Sequence, residues 1–165
     1  MFIPKIFLSG SFRGDSAKFL IEYFRDAQLT CVDTWTGSDE YGHINFKGVE
    51  EEFDRFQQKC RSRVRKIKGT SNSFFSHQDT KFDLIYVDGS HFADDVAVDL
   101  INSWSILEVG GIMICDDYIW QHYSRVRDNP CAAINWRFTD KFGYRKRNNV
   151  RVEPFSHEWA IMHRE

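Results

Sequence analysis

The sequence lacks paired cysteines, which argues against two kinds of site that stabilise small proteins. Its four cysteines, Cys31, Cys60, Cys115 and Cys131, lie far apart and form no CxxC pair. A zinc site and a disulfide framework are therefore both disfavoured. Unpaired cysteines fit a reducing compartment, so we expect a cytoplasmic protein.

The chain also has little net charge and no long hydrophobic run. Its formal charge of −2 gives no long-range attraction for nucleic acid or anionic lipid. The one basic patch, Lys59–Lys68, is interpreted as the solvated end of a helix that runs into a strand edge. The apolar opening MFIPKIFLSG is too short to span a bilayer. We therefore predict neither a nucleic-acid partner nor a membrane partner.

The composition is that of one globular domain. The chain has 165 residues, of which 42% are apolar, and its fifteen Phe and five Trp predict an aromatic core. This length is typical of a single core, and no internal repeat divides it. We expect one domain over residues 1–165.

Strand-like and helix-like segments alternate along the chain, which is typical of a parallel sheet covered by helices on both faces. Short apolar runs bounded by turn residues predict strands, and apolar residues at helical spacing predict helices. The predicted strands are Lys5–Ser9, Leu29–Trp35, Val64–Lys68, Phe82–Val87, Ile112–Cys115, Val150–Phe155 and Glu158–His163. The predicted helices are Asp15–Asp26, Val49–Arg63, Ser71–His77, one from Ala93 to the Gly110-Gly111 pair, and Pro130–Phe142.

Two connections carry further expectations. The polar, glycine-containing segment Thr36–Lys47 is a candidate lid. The last two strands are joined by a tight turn around Ser156, so they must pair antiparallel, because a parallel crossover needs about a dozen residues or more.

Residues that follow the predicted strands are the first candidates for function, because ligands of open α/β sheets bind at the carboxyl ends of the strands. GSFRG, Gly10–Gly14, follows the first strand and can approach a ligand closely, although a tight turn without a ligand fits it equally. Asp33 ends the second strand, where a ribose diol is often bound, or it is a solvated strand end.

Three aspartates follow the fourth and fifth strands. Asp88 comes directly after FDLIYV, and Asp116 and Asp117 come directly after IMIC. Carboxylates that converge from neighbouring strands repel one another unless a proton or cation intervenes, and Mg²⁺ prefers such oxygen ligands. The sequence therefore predicts a magnesium-type site. The alternative is that these residues only cap a segment or begin a turn.

His91 lies three residues after Asp88, within reach of the same cleft. Its unperturbed pKa near neutrality suits a general base, and the alternative is a surface histidine or one at the start of a helix.

With these residues in view, the chain resembles the class I S-adenosylmethionine (SAM)-dependent methyltransferases, in particular the metal-dependent O-methyltransferase branch that includes catechol and macrocin O-methyltransferases. Phe82–Tyr118 carries the most specific likeness, and GSFRGDSAKFL and CVDTWTG are similar to the family's cofactor half. The resemblance covers nearly the whole chain.

The resemblance implies an α/β, Rossmann-like, seven-stranded, mostly parallel sheet in the order 3-2-1-4-5-7-6, with strand seven antiparallel and helices on both faces. It implies SAM and a divalent metal, most simply Mg²⁺, as cofactors, and a small hydroxylated molecule as substrate. Its cofactor-binding positions fall on Gly10, Ser11, Gly14, Asp33, Ser71 and Asp88, its metal ligands on Asp88, Asp116 and Asp117, and its general base on His91.

The chain departs from the family pattern at two places. The family usually has an acidic residue two places before the first glycine, where this chain has Leu8. The family's helical segment before the first strand is absent here, so either the chain is a truncated product or a neighbouring subunit of a homo-oligomer supplies that wall. We predict metal-assisted methyl transfer to a hydroxyl. The alternatives are a degenerate binding module without catalysis and a metal-dependent hydrolase or hydroxylase on a similar sheet.

Overall fold

The structure is a computed structural model that describes residues 2–37, 41–42, 44–138, 150–154 and 159–164. Its strands are β1 (Lys5–Ser9), β2 (Gln28–Asp33), β3 (Val64–Lys68), β4 (Phe82–Val87), β5 (Leu107–Cys115), β6 (Val150–Pro154) and β7 (Ala160–Arg164). Its helices are α1 (Asp15–Tyr23), α2 (Phe46–Lys59), α3 (Ser71–Phe75), α4 (Ala93–Ile106) and α5 (Pro130–Phe138), with a 3₁₀ turn at Val126–Asp128.

All seven strands form one sheet in the order β3-β2-β1-β4-β5-β7-β6. The pairs β1–β2, β1–β4, β2–β3 and β4–β5 are parallel, whereas β7 runs antiparallel to both β5 and β6. The prediction of a mostly parallel α/β sheet with one reversed strand is confirmed, and the strands lie in the expected order. This order places the carboxyl ends of β1, β2 and β4 side by side.

The alternating side chains of β1 divide the core into two layers, one on each face of the sheet. Ile6 and Leu8 are fully buried in the layer that contains α1 and α2, where they meet Leu20 and Phe53. Successive residues of a strand point to opposite faces. Phe7 accordingly belongs to the other layer, which also contains residues of α3, α4 and α5.

Phe7 forms the centre of an aromatic cluster on the second face. Its ring stacks on Phe74 of α3 with centroids 4.8 Å apart and planes 8° apart, and the ring of Phe82 lies 5.6 Å away. Such pairs add a modest stabilisation beyond the area that they bury. The cluster joins β1, β4 and α3, and α3 also packs against α4 and β2.

The predicted end of α1 and both predicted ends of α2 were wrong by several residues, since α1 ends at Tyr23 rather than Asp26. Helix α2 begins at Phe46 rather than Val49 because Asn45 caps it, with its side chain accepting a hydrogen bond from the Gly48 amide. It ends at Lys59 rather than Arg63 because residues 60–63 form a turn, in which the Arg63 amide bonds to the Cys60 carbonyl, before β3 begins.

The end of α4 and the start of β5 were also misplaced. The predicted helix extended to the Gly110-Gly111 pair, but α4 ends at Ile106 and β5 begins at Leu107. Leu107 is fully buried and pairs with Phe82, so the chain is extended from that point. A register shift then follows, and Gly110 absorbs it with a φ of +84°.

Other predicted segments fall partly outside the described residues. Within the candidate lid, positions 38–40 and 43 lie outside them, as do residues 139–142 of the predicted fifth helix and residues 155–158 at the closing turn. In the described part of the chain, no helix combines the length and the apolar character needed to cross a membrane.

Phe7→Ala is expected to lower the free energy of unfolding by about 3–5 kcal/mol, because it removes a buried ring and leaves a cavity between β1 and α3. Urea denaturation followed by circular dichroism measures this loss. Phe2→Ala is the matched control, since Phe2 is 74% exposed and its removal should change stability by no more than about 0.5 kcal/mol. Equal losses in the two variants would contradict this account of the core.

Candidate functional site

A cleft of about 500 Å³ lies at the carboxyl ends of β1, β2 and β4. The turn after β1, the residues after β2, the start of α3 and the loops after β4 and β5 line it. Its described lining residues include five aspartates and no lysine or arginine; the aspartates are Asp33, Asp88, Asp95, Asp99 and Asp117. This excess of carboxylates favours a cationic ligand.

Gly10 begins the turn and brings the ends of β1 and β4 together. Its φ is +78°, and a Cβ atom there would lie 1.6 Å from the backbone oxygen of Asp88. The Gly10 amide bonds to the Val32 carbonyl, and the Asp88 amide bonds to the Ser9 carbonyl. Only glycine combines this φ with so close an approach. The turn therefore holds Asp88 at the edge of the cleft.

Asp33 lies at the cleft as predicted, but its carboxylate mainly accepts hydrogen bonds from backbone amides of the protein. One oxygen accepts hydrogen bonds from the backbone amides of Ser11 and Phe12, both at 2.8 Å, and the other accepts from the Trp35 amide at 2.7 Å. Asp33 thus holds the turn of residues 10–14 against the end of β2. A carboxylate accepts about four hydrogen bonds, so capacity for a ligand hydroxyl remains.

Ser11 and Gly14 complete this turn. Ser11 is 3% exposed, and Gly14 stands before α1 with a φ of +91°. A Cβ atom at Gly14 would lie 3.1 Å from the rings of Phe53 and Phe56 in α2. Gly14 therefore serves packing between α1 and α2, while the Gly10 end of the turn faces the cleft.

Asp88, His91 and Asp117 form a cluster in which one potential ligand atom from each lies within 4.8 Å of the others. The His91 Nε2 atom lies 2.8 Å from Asp117 Oδ2. The ring of Trp120 lies over His91 with centroids 4.9 Å apart. Asp117 has a φ of +56°, an uncommon value for a residue other than glycine, and this conformation accompanies its approach to His91.

Asp116 does not join this cluster, although the sequence groups it with Asp117. Its Oδ2 accepts a hydrogen bond from the Tyr86 hydroxyl at 2.7 Å, and its Oδ1 accepts one from the Asp117 amide at 2.9 Å. Asp116 therefore anchors the loop after β5 to β4, and Asp88 and Asp117 are the two carboxylates that the structure brings together with His91.

Burial, together with the negative charges of Asp116 and Asp117, raises the pKa of Asp88 to about 8. An aspartate with this pKa holds its proton at neutral pH unless a cation compensates the charge. The site thus combines carboxylates that are close together with a free-energy cost for keeping them ionised.

Ser71 is the first residue of α3 and lines the cleft on the side of β3. Its hydroxyl donates a hydrogen bond of 2.6 Å to Asp99, a buried residue of α4 that the sequence interpretation passed over. Asp99 lies between Val96 and Leu100 on the buried face of α4. A carboxylate on an otherwise apolar helical stripe is a signal that could have identified it.

Comparison with known sequences gives one family match. A sequence profile described as a methyltransferase domain matches residues 9–118, which extend from the end of β1 to just after β5. The matched segment contains the turn after β1, Asp33, Asp88, His91 and Asp117. No curated protein matches the chain.

Solved structures share the fold at low identity. TomG, an O-methyltransferase from Streptomyces achromogenes in complex with SAM, aligns with a TM-score of 0.71 and 12% identity over 98% of this chain and 73% of that chain. A methyltransferase from Podospora anserina bound to S-adenosylhomocysteine (SAH) aligns with a TM-score of 0.68 and 20% identity, over 98% of this chain and 72% of that chain. MycE belongs to the mycinamycin biosynthetic pathway and was solved in complex with Mg, SAH and mycinamycin VI. It aligns with a TM-score of 0.67 and 16% identity, over 98% of this chain and 45% of that chain.

Asp88→Asn is expected to raise the free energy of unfolding near neutral pH, in the presence of a chelator, by at least about 1 kcal/mol. The folded-state pKa of about 8 lies above the ordinary value of 3.8, so the stability that the protonated carboxyl contributes is complete below 3.8 and is lost as the pH rises towards 8. The asparagine removes this loss. Urea denaturation measures the difference.

The gain should therefore be smaller at about pH 5 than near neutral pH. Asp94→Asn, an exposed change in the first turn of α4, is the control and should show little effect at either pH. An equal gain at both pH values would contradict the assignment of the raised pKa to Asp88.

Proposed function

The chain belongs to the methyltransferase-domain family, and we propose that it transfers a methyl group from SAM to a hydroxyl of a small molecule with the help of a divalent cation. The observation that carries this proposal is the cluster of Asp88, His91 and Asp117 beside the turn at Gly10. The cluster supplies carboxylates for a cation and an imidazole for a proton, next to a cleft that favours positive charge.

The cleft suits SAM because the methyl donor carries a positive sulfonium. The five aspartates that line the cleft favour such a charge, and no lysine or arginine among its described residues opposes it. Gly10 and Asp33 would hold the donor near β1 and β2, and Ser71 would hold it near β3, whereas Ser11 is buried and does not line the cleft. When bound, SAM supplies the methyl group. The bound SAM of TomG and the bound SAH of the Podospora anserina protein agree with this choice of donor.

The donor atoms fit a hard cation such as Mg²⁺. Asp88 and Asp117 offer carboxylate oxygens, which Mg²⁺ prefers, and a bound cation would offset the burial and the neighbouring negative charges that raise the pKa of Asp88. The Tyr86 hydroxyl and the Asp117 amide fix the orientation of Asp116. Asp116 would either hold the backbone of Asp117 in place or be a further ligand of the cation. When bound, the cation would lower the pKa of the substrate hydroxyl. MycE was solved with Mg.

His91 would receive the hydroxyl proton. Trp120 and Asp117 fix its ring, so the imidazole is held in one orientation before a substrate arrives. A base held in this way requires little reorganisation during the reaction. The residues of the chain thus orient the two reactants and remove one proton, which is sufficient for methyl transfer to an oxygen.

A binding module without catalysis is the second candidate, and Leu8 favours it. Leu8 is fully buried among the side chains of α1 and α2, so β1 contributes no carboxylate at the position where the family usually has one. Calorimetry with SAH separates the two candidates. A wild-type chain that neither binds SAH nor forms SAH from SAM would exclude the enzymatic function.

Asp88→Asn and Asp117→Asn are each expected to lower cation-dependent SAH formation from SAM by about 10-fold or more, while SAH affinity changes little. The assay supplies Mg²⁺ and a panel of phenols and sugars, and mass spectrometry detects SAH. Asp94→Asn is the matched control, because this exposed carboxylate of α4 lies outside the cluster. Turnover that survives a chelator, or that is unchanged in both variants, would refute the cation's role.

His91→Asn is expected to lower kcat by about 100-fold to 10,000-fold without an equivalent rise in KM, because it removes the proton acceptor and leaves the carboxylates in place. His122→Asn is the control, since His122 is exposed and does not line the cleft. A pH profile of kcat checks the assignment, because the low-pH limb of the wild-type profile should be lost in His91→Asn. An unchanged profile would contradict it.

A further inference from the structure

The face of the sheet that α4 and α5 cover is buried from β1 to β7. Phe7, Ile85, Met113 and Met162 lie side by side on β1, β4, β5 and β7, and all four are fully buried. They belong to the core layer that also contains residues of α4 and α5. On this side, the helices therefore shield every one of these strands from solvent.

The opposite face is buried at β1 but not beyond it. Leu8 of β1 is fully buried, and Tyr86, Ile114 and Ile161 continue its row across β4, β5 and β7. These three side chains are only half-buried, and the two isoleucines pack against neither core layer of the described residues. We call this half-buried apolar surface the open face; it consists of Leu84, Tyr86, Ile112, Ile114 and Ile161.

The two helices on this side of the sheet lie away from the open face. Helix α1 packs against β2, and α2 packs against β3. The strands β4, β5 and β7 lie on the other side of β1 in the strand order. In the described part of the chain, no helix is therefore centred over the open face. Strands of α/β sheets are normally apolar and covered on both faces, so an apolar face without a cover indicates a contact surface.

Two aromatic side chains form a ridge on α1, beside the open face. Phe19 and Tyr23 are 64% and 71% exposed, and their rings stack with centroids 5.9 Å apart. Lys18 marks the flank of α1 that faces α2, because its Nζ lies 6.0 Å from the centre of the Phe56 ring. At about 100° per residue, Phe19 and Tyr23 lie on the outer surface of α1, on the side away from α2. The ridge therefore points outward on the side of β1 and β4.

The ridge and the open face are complementary in shape. A helix has a diameter of about 10 Å, so the sheet surface beside α1 is recessed by about that depth. A second copy, rotated by 180°, can place its α1 in this recess and receive the first α1 in its own recess. An unrelated helix would fill the recess but leave the outward-facing Phe19 in water. A second copy covers both the recess and the ridge, and is therefore the partner that fits this surface.

The exposed area agrees with a dimer. Phe19 and Tyr23 together expose roughly 270 Å² if an aromatic side chain has about 200 Å² of surface. A two-fold axis makes the contact occur twice, and each contact buries a similar area on both sides, which gives about 1,100 Å² in total. Stable interfaces begin at about 1,200 Å². The two aromatic rings thus supply most of the area that a dimer needs.

The open face also ends beside the reactive cluster. The Tyr86 hydroxyl donates a hydrogen bond to Asp116, which directly follows β5. A copy seated on the open face would cover the Tyr86 ring and exclude water from this side of the sheet. None of the open-face or ridge residues lines the cleft itself, so the contact leaves the cleft accessible.

We propose that two copies of this chain associate about a two-fold axis, with the ridge of each copy packed on the open face of the other. This inference goes beyond the proposed function and does not depend on it, because the surface lies outside the cleft.

Sedimentation velocity over about 1–100 µM protein tests the proposal, because a dimer must dissociate on dilution according to its Kd. Wild type should be dimeric at the upper concentrations. Tyr23→Glu should weaken association by at least about 30-fold, because it places a carboxylate in the apolar contact. The variant should fold, since Tyr23 is exposed in a single copy, and circular dichroism checks this.

Trp136→Glu is the matched control. Trp136 is 68% exposed on α5, which packs on the opposite face of the sheet, so this variant should associate like wild type. Dimers that survive in Tyr23→Glu, or that are weakened equally by Trp136→Glu, would place the contact elsewhere and overturn the proposal.

Mixing two variants tests which surfaces meet. Tyr23→Glu damages the ridge and Ile161→Glu damages the open face, so each variant alone should be monomeric. An equal mixture should regain part of the association, because the intact ridge of one variant meets the intact open face of the other. Ridge-on-ridge or face-on-face packing would give no recovery and would refute the arrangement. If Ile161→Glu does not fold, the comparison of Tyr23→Glu with Trp136→Glu decides.

The oligomeric state of wild type separates the remaining occupants. A wild-type chain that stays monomeric at every concentration overturns the proposal and leaves the open face to a different protein. Assemblies that grow beyond the dimer overturn the two-fold arrangement, because an open-ended contact forms filaments rather than a closed pair. Both outcomes leave the proposed function in place, since SAH binding and turnover are measured separately.

Discussion

The close backbone contact between Gly10 and Asp88 is the constraint on which the site depends. A side chain at position 10 would collide with the Asp88 carbonyl, so the ends of β1 and β4 meet only because glycine stands there. Asp33 fixes the other side of the same turn through the amides of Ser11 and Phe12. The turn and the carboxylates of the cleft are thus parts of one assembly, in which a change of backbone at β1 moves Asp88.

The site concentrates negative charge at some cost to the stability of the folded chain. Asp88 is largely buried near Asp116 and Asp117, and Asp99 is buried and accepts hydrogen bonds from the hydroxyls of Ser9 and Ser71. Stability and binding of the proposed cation would therefore be coupled, since a cation at this site would offset the repulsion between the carboxylates. Functional sites commonly depart in this way from what would be most stable.

Much of the fold could be predicted because apolar runs and their turn residues mark the strands from β1 to β5. The gathering of Asp88, His91 and Asp117 could be predicted because parallel strands end at one edge. The sequence could not predict that Asp117 joins the cluster while Asp116 bonds to Tyr86. This difference depends on the positive φ of Asp117 and on the position of the Tyr86 hydroxyl. Asp99 lay within an apolar stripe, and only its contacts with Ser9 and Ser71 distinguish it.

The placement of β7 between β5 and β6 bears on how the chain is synthesised. Strands β1 to β5 can pair as they leave the ribosome, but the free edge of β5 stays uncovered until residues 160–164 have been translated. An exposed strand edge invites pairing with other chains. Because β5 leads directly into Asp116 and Asp117, this side of the cleft lies next to an unpaired strand edge until β7 is in place.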